Sequence, residues 1–336
     1  MIKERKVNQA VVITTIFEPS KAVKEFASMA DIDLIIVGDC KTPKGWSCTG
    51  AEYISIEKQV NLNYKLSNVL PWNHYSRKMI GYLVAARNGA DIIVDTDDDN
   101  LPKVNWGFPQ FVGEYQEIAN ELGFVNIYQW YTTQKIWPRG LPLEMIKTSF
   151  DLGRHSRVNS CNVGVWQGLA DDDPDVDAIY RLTIDEKCIF NRVEPVVLAE
   201  NTICPFNSQN TAFRSELFAL LYLPTSVTFR FTDILRGLVA QPIMWAAGYQ
   251  LGFTEATVLQ ERNPHSLLRD FQSEIPMFLN GHRIISIVLE SIEKDLDVTD
   301  NLRKAYAALL AEGIVSAEEL RTLDAWLEDI VNCQTN

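Results

Sequence analysis

Four carboxylates close the apolar run Ile92-Ile93-Val94-Asp95-Thr96-Asp97-Asp98-Asp99-Asn100, and acids at this spacing are suited to holding a hard cation. An extended backbone alternates its side chains, which predicts Asp95, Asp97 and Asp99 on one face and Asp98 on the other. Like charges so close repel, and a cation held by oxygen ligands relieves the repulsion. An EF-hand loop starting at Asp95 is excluded, because Asn100 and Trp106 stand where glycine and glutamate are required. There is no P-loop and no Gly-x-Gly-x-x-Gly turn, so phosphate would not sit in a glycine-rich cradle. What remains is an Asp-x-Asp site, where Mg²⁺ or Mn²⁺ takes one or two carboxylates and completes its shell with substrate phosphates.

Three more constellations carry chemistry. Trp137-Pro138-Arg139-Gly140-Leu141-Pro142 fixes an arginine in a rigid loop, either aimed at phosphate or simply exposed. Arg230-Phe231-Thr232-Asp233-Ile234-Leu235-Arg236-Gly237 sets an acid between two arginines, which reads as a structural ion-pair cluster or as a catalytic carboxylate held in register. Glu261-Arg262-Asn263-Pro264-His265 offers a histidine in a polar turn. Of the four histidines, His265 is the best candidate for a metal ligand, against the plainer reading of a surface residue.

These residues need a scaffold. The runs 10–16 and 33–39 are continuously apolar, as strands buried on both faces of a parallel sheet are, and 20–30 between them fits a short helix. Residues 76–88 carry Met79, Ile80, Leu83 and Val84 on one stripe and stop at Gly89, which predicts a helix feeding the strand at 91. Strand, helix, strand, helix, strand is the pattern of a doubly wound α/β half, whose ligands sit beyond the strand C-termini. The aromatic middle, from Trp106 through Tyr128, Trp130, Tyr131 and Trp137 to Trp166, predicts mixed strands and long loops, its rings more suited to core than to sugar platforms. From Ile284 the pattern is helical, and Ser316-Ala317-Glu318-Glu319 predicts a capping box. Packing of this tail on the body is expected, with a homodimer through it as the alternative.

The 336 residues are 46% apolar and 22% charged, enough for one large or two modest globular domains. A net charge of −13 argues against nucleic acid or an anionic membrane as partner. The six cysteines form no Cys-x-x-Cys pair, so neither a zinc site nor a disulfide framework is expected. With no signal peptide, no membrane-length apolar run and no Asn-x-Ser/Thr acceptor, a reducing cytoplasm is the expected compartment.

The blocks Asp97-Asp98-Asp99-Asn100, Trp137-Pro138-Arg139-Gly140, Asp175-Val176-Asp177-Ala178, Asn207-Ser208-Gln209-Asn210 and Thr232-Asp233-Ile234-Leu235-Arg236-Gly237 occur in the order seen in STELLO-type glycosyltransferase-like proteins, which this chain resembles over roughly residues 10–280. It is more distantly similar to the plant reversibly glycosylated polypeptides, which include UDP-arabinopyranose mutases. Leu141 and the Ser208-Gln209 pair depart from the mutase pattern and favour the STELLO-like branch.

The resemblance implies a GT-A fold over 1–280, with 281–336 as a helical extension. It implies Asp97 and Asp99 as the Mn²⁺ or Mg²⁺ motif, with Asp98 beside the donor. Thr14, Thr15, Glu18 and Asp39 match positions that hold the nucleoside, uridine first among them, and Arg77 and Lys78 face the diphosphate. Arg139 matches an arginine that the mutases need and carry as a glycosylation site. The function expected is metal-dependent transfer from a nucleotide-diphospho-sugar to a carbohydrate or glycolipid hydroxyl. Arg139 would contact the departing diphosphate, and Asp233 or, second, Asp177 would accept the hydroxyl proton. The rivals are a pyranose/furanose mutase self-glycosylated at Arg139, and a non-catalytic partner-binding protein of the same fold.

Overall fold

The computed structural model describes residues 7–119, 123–191, 194–261 and 266–335. Strand β1 (Gln9–Thr15), helix α1 (Lys21–Ala27), strands β2 (Ile32–Gly38) and β3 (Ala51–Ile54) and short helices α2 (Ile56–Asn61) and α3 (Lys65–Val69) come first. A 3₁₀ turn at Tyr75–Arg77 runs into α4 (Lys78–Arg87), which ends before the left-handed Gly89 and leads to β4 (Ile92–Thr96). The continuous apolar runs are explained by burial on both faces. Val12, Ile35, Val37 and Ile93 pack into the core that contains α4, while Val11, Ile13, Leu34, Ile36 and Val94 pack into the core with Val23 and Phe26 of α1. Ser20 caps α1 by accepting the Val23 N–H at 3.1 Å.

The chain continues through β5 (Asn100–Pro102), β6 (Val112–Ile118), β7 (Gly123–Phe124), α5 (Tyr128–Tyr131), the long β8 (Ser156–Asp171) and α6 (Ala178–Thr183). There follow β9 (Val196–Leu198), β10 (Thr202–Ile203), β11 (Asn210–Arg214), α7 (Phe229–Ala246) and β12 (Gln250–Gln260). Among the described residues the main sheet runs β3-β2-β1-β4-β11-β8-β6-β9-β12-β5, and β7 pairs with β10 apart from it. Strands β3, β2, β1 and β4 are parallel, as expected, and β11 turns antiparallel against β4. The whole is therefore a mixed α/β fold. The first half of β8 pairs with β6, and its second half lies between β11 and β12.

Three helices finish the chain: α8 (Leu267–Ser291), α9 (Val298–Ala311) and α10 (Ala317–Thr335). The expected boundary at 280/281 falls inside α8, which packs on α7, while α10 packs on α3 and α4. The capping-box expectation needs correction. The Glu319 carboxylate is buried and accepts the backbone N–H groups of Thr225 at 2.9 Å and Ser226 at 2.6 Å, so it ties α10 to the body rather than closing on its own helix. Trp326 Nε1 donates to the Ala219 carbonyl at 2.9 Å, and Asp329 accepts the Leu66 N–H at 2.8 Å. No helix among the described residues is long and apolar enough to cross a membrane.

Candidate functional site

A cavity of about 440 Å³ opens beyond the C-terminal ends of β1, β2 and β4. Of the sequence candidates it gathers Thr14, Thr15, Asp39, Arg77, Asp97, Asp98, Asp99, Arg139 and Asp233. Glu18, Lys78 and Asp177 do not line it, and His265 lies outside the described residues.

The acid run does not alternate as an extended strand. Strand β4 stops at Thr96 and the next three aspartates form a turn, so Asp97, Asp98 and Asp99 all line the cavity while Asp95 stays in the sheet. Asp95 is fully buried, 2.6 Å from Lys78 Nζ and 2.6 Å from Arg236 Nη1. Burial alone would raise its carboxyl, but these two cations hold it below the usual carboxylate range. Asp97 Oδ1 accepts from Tyr75 Oη and from Lys78 Nζ, both at 2.8 Å. Asp98 Oδ2 accepts from the Thr15 hydroxyl. Asp99 Oδ2 accepts from the Gln260 amide at 3.2 Å, whereas its Oδ1 is buried with no partner among the described residues. Burial pushes Asp99 up to about 7, helped by the Asp97 charge, and it raises Asp97 and Asp98 as well.

This arrangement fits a divalent cation that keeps sites for a second ligand. Asp99 Oδ1 is an orphaned buried acceptor beside Asp97, and a cation there would satisfy it. Among the described residues no group of three His, Cys, Asp or Glu side chains could enclose a metal, so phosphate or water oxygens would have to complete the shell.

The cations expected at a diphosphate are largely engaged elsewhere. Lys78 is fully buried between Asp95 and Asp97. Arg77 gives its Nε and Nη2 to Gln59 Oε1 at 2.9 and 2.6 Å, and its Nη1 to the carbonyls of Ser67 and Leu70. Its guanidinium also lies 3.7 Å over the Trp72 ring. Arg139 makes five hydrogen bonds: to Asp175 Oδ1 at 2.8 Å, Asp175 Oδ2 at 2.7 Å, Asp233 Oδ1 at 3.0 Å, Asp233 Oδ2 at 2.8 Å and the Arg230 carbonyl. A guanidinium has five N–H donors, so this set leaves none in reserve for phosphate. Arg181 pairs with Asp173 and Arg230 with Glu274. Lys41, exposed on the turn after β2, is the lining cation without such a partner among the described residues.

The two expected base candidates take structural parts. Asp233 Oδ2 accepts the Ser208 N–H at 3.2 Å as well as Arg139. Burial alone would raise its carboxyl, but Arg139, with Arg236 and Arg230, holds it below the usual range, which weakens it as a proton acceptor. Asp177 is the N-cap of α6, accepting from Tyr180 N at 2.9 Å, and it also accepts from Trp137 Nε1 at 2.7 Å.

Sequence reasoning missed the loop residues 73–75 and Gln260, and it quoted Asn207 and Gln209 in a motif without giving them a role. Asn73, His74 and Tyr75 line the cavity from the loop, and Asn207, Gln209 and Gln260 from the opposite side. Phe17 and Phe229 line it while remaining 50% and 55% exposed, which makes them rim residues, and the Phe229 ring meets Tyr75 edge to face at 5.6 Å. Burial pushes His74 below the usual imidazole range against the opposing pull of Glu319 and Asp39. A histidine before Tyr-Ser has no periodic or spacing signal, so only the fold singles it out.

The fold and the site together are a mixed α/β sheet with an aspartate-lined cavity at the end of its parallel strands. No protein-family model matches the chain. Probable glycosyltransferase STELLO1 of Arabidopsis thaliana is 26% identical over 340 residues, and Probable glycosyltransferase STELLO2 of the same plant 27% over 341. Each alignment covers 96% of this chain and 44% of the relative. The chain is thus STELLO-like along nearly its whole length, and it spans less than half the length of the curated relatives it matches. A solved structure described as a mycobacterial protein aligns with 12% identity and a TM-score of 0.39, over 82% of this chain and 75% of that one, a likeness too slight to bear on the fold.

Proposed function

We propose that this chain is a metal-dependent glycosyltransferase of the GT-A fold, taking a nucleotide-diphospho-sugar, UDP-linked first among them, and transferring the sugar to a carbohydrate or glycolipid hydroxyl. The observation that carries the reading is the Asp97-Asp98-Asp99 turn facing the ends of β1 and β2 across one cavity, with Asp99 Oδ1 buried and unpaired among the described residues. Similarity to two proteins named as probable glycosyltransferases supports it.

Asp97 and Asp99 would hold Mn²⁺ or Mg²⁺, which when bound supplies Lewis-acid compensation for charge on a departing diphosphate. The protein's own part is to keep the acids in place. Tyr75 and Lys78 both donate to Asp97 Oδ1, Thr15 holds Asp98 and Gln260 holds Asp99. Lys41 is the ammonium best able to meet phosphate, because the other lining cations are engaged within the protein. Asp175, Arg139 and Asp233 form a rigid wall on the side where the sugar and acceptor would sit. The mutase rival fits less well, since a guanidinium with five hydrogen bonds and 5% exposure is a poor nucleophile for self-glycosylation.

Thermal unfolding of the wild type and of Asp97→Asn/Asp99→Asn with UDP, GDP and CDP, each with and without Mn²⁺, tests the reading. Ligand at ~100 times its dissociation constant stabilises the native state by ~2.7 kcal/mol. A Mn²⁺-dependent upward shift with one nucleotide, lost in the double variant, is expected. No shift with any nucleotide would leave a partner-binding protein of the same fold as the better account.

A further inference from the structure

Asp39 stands at the end of β2, where the resemblance expects a nucleoside contact, yet its carboxylate is occupied within the protein. Oδ1 accepts the backbone N–H groups of Cys40 at 2.7 Å and Asn73 at 2.8 Å, and Oδ2 accepts the N–H of His74 at 3.1 Å. Two of these three bonds, those from Asn73 and His74, fix the start of the 73–76 loop against the end of the sheet. The His74 ring is then fixed through its own Nδ1, which accepts the Ser76 backbone N–H at 3.2 Å and lies 2.7 Å from Ser76 Oγ.

A backbone N–H can only donate. Nδ1 is therefore an acceptor and bears no proton, and a neutral ring with Nδ1 free of hydrogen carries its proton on Nε2. Among the described residues Nε2 has no hydrogen-bond partner, and His74 lines the cavity. The loop thus offers the ligand a fixed, uncharged N–H donor. The same tautomer rules the ring out as a general base through Nε2, because that nitrogen already holds the proton.

We propose that His74 is a ligand-binding residue of the cavity, whose Nε2–H donates to an oxygen of the donor nucleotide, and that Asp39 is a positioning residue acting through it. The proposal rests on the nucleotide-sugar reading given above. The oxygen acceptor has two sources, a base or ribose oxygen and a phosphate oxygen, and the choice of probes separates them.

The decisive variant is His74→Asn. Asparagine Oδ1 can accept the Ser76 N–H as Nδ1 does, and Asn is a favoured N-cap, so the loop is kept while the distal donor is removed. Glutamine at the same position reaches further and restores a distal N–H. With Mn²⁺ present, calorimetric titration of UDP is expected to show about tenfold weaker binding by His74→Asn, the loss of one hydrogen bond, and recovery of most of it by His74→Gln. Ligand-free melting temperature should not change in His74→Asn. Uridine and inorganic pyrophosphate serve as partial probes: a loss shared by UDP and uridine assigns the contact to the nucleoside, and one shared by UDP and pyrophosphate assigns it to phosphate. Nitrogen-15 spectra of the wild-type ring at pH 7 should place the proton on Nε2. A proton on Nδ1, or a His74→Asn protein that binds UDP as tightly as the wild type, would overturn the proposal. A wild type that binds no nucleotide removes the functional reading and this one with it, and the ring spectra still report the tautomer.

Discussion

Arg139 holds three segments together, because its guanidinium joins its own loop to Asp175 and to Asp233 of α7. Lysine has three donors on one nitrogen and cannot match two carboxylates in parallel. Arg139→Lys keeps the charge but loses at least two of the five hydrogen bonds, so it should cost about 1–3 kcal/mol in urea unfolding. Intact-mass spectra of the wild type after incubation with nucleotide sugars should show no sugar adduct, and a stable adduct on Arg139 would refute the structural role. At Asp177 the pH dependence can be worked out. Burial raises its carboxyl from 3.8 to about 6, against the hydrogen bonds from Tyr180 and Trp137. Between those values the native state binds more protons than the unfolded chain, so this group's contribution is full below about 4 and is lost as pH rises through about 6. At about 1.4 kcal/mol per unit the loss is ~3 kcal/mol. Asp177→Asn cannot ionise and retains a capping oxygen, so urea unfolding at pH 4, 5, 6 and 7 should show a shallower decline than in the wild type.

Among the elements, α4 shows how closely the first sheet half is built. A Cβ on Gly81 would lie 2.5 Å from Val12 Cγ1 and 2.8 Å from Val37 Cγ2, so the helix rests directly on β1 and β2. Alanine at an exposed helix interior is better than glycine by about 1 kcal/mol, but overpacking here costs about 1–3 kcal/mol. Gly81→Ala should accordingly lower the melting temperature, and an unchanged value would mean that α4 can lift from the sheet. β1, β2, β4 and α4 were legible in the sequence because each is one uninterrupted apolar run or stripe between clear stops. The other half of the sheet was not. The second half of β8 has neighbours on both edges and is buried, so it shows no alternation, and its glycines carry no strand signal. They serve close packing instead: a Cβ on Gly164 would lie 2.3 Å from Leu217 Cδ1, and one on Gly168 2.3 Å from Asn210 Nδ2. Glu319 was misread for a related reason, since its local spacing fits a capping box while its partners lie 93 and 94 residues away.

For the molecule as a whole, the position of the cavity was legible and its internal charge pairing was not. Strand ends follow from topology, so Thr14, Thr15, Asp39 and Asp97 to Asp99 converge on one cavity. Whether a cation is free depends on partners that chain distance hides: Arg139 meets Asp233 across 94 residues, and Arg236 meets Asp95 across 141. That second pair extends a buried chain of charge from Asp97 through Lys78 and Asp95 to Arg236, linking α4, β4 and α7. Asp95→Asn keeps the side chain's shape but leaves Lys78 with Asp97 alone and Arg236 without its carboxylate. The expected cost is about 3–5 kcal/mol. Because the link runs between the first third of the chain and α7, the loss should lower one shared transition rather than release either part by itself. Tryptophan fluorescence and far-ultraviolet circular dichroism should therefore give coincident unfolding curves in the variant, displaced together to lower urea. Two separated transitions, in the variant but not in the wild type, would overturn that expectation and show that the parallel half of the sheet and α7 unfold together only because these buried charges join them.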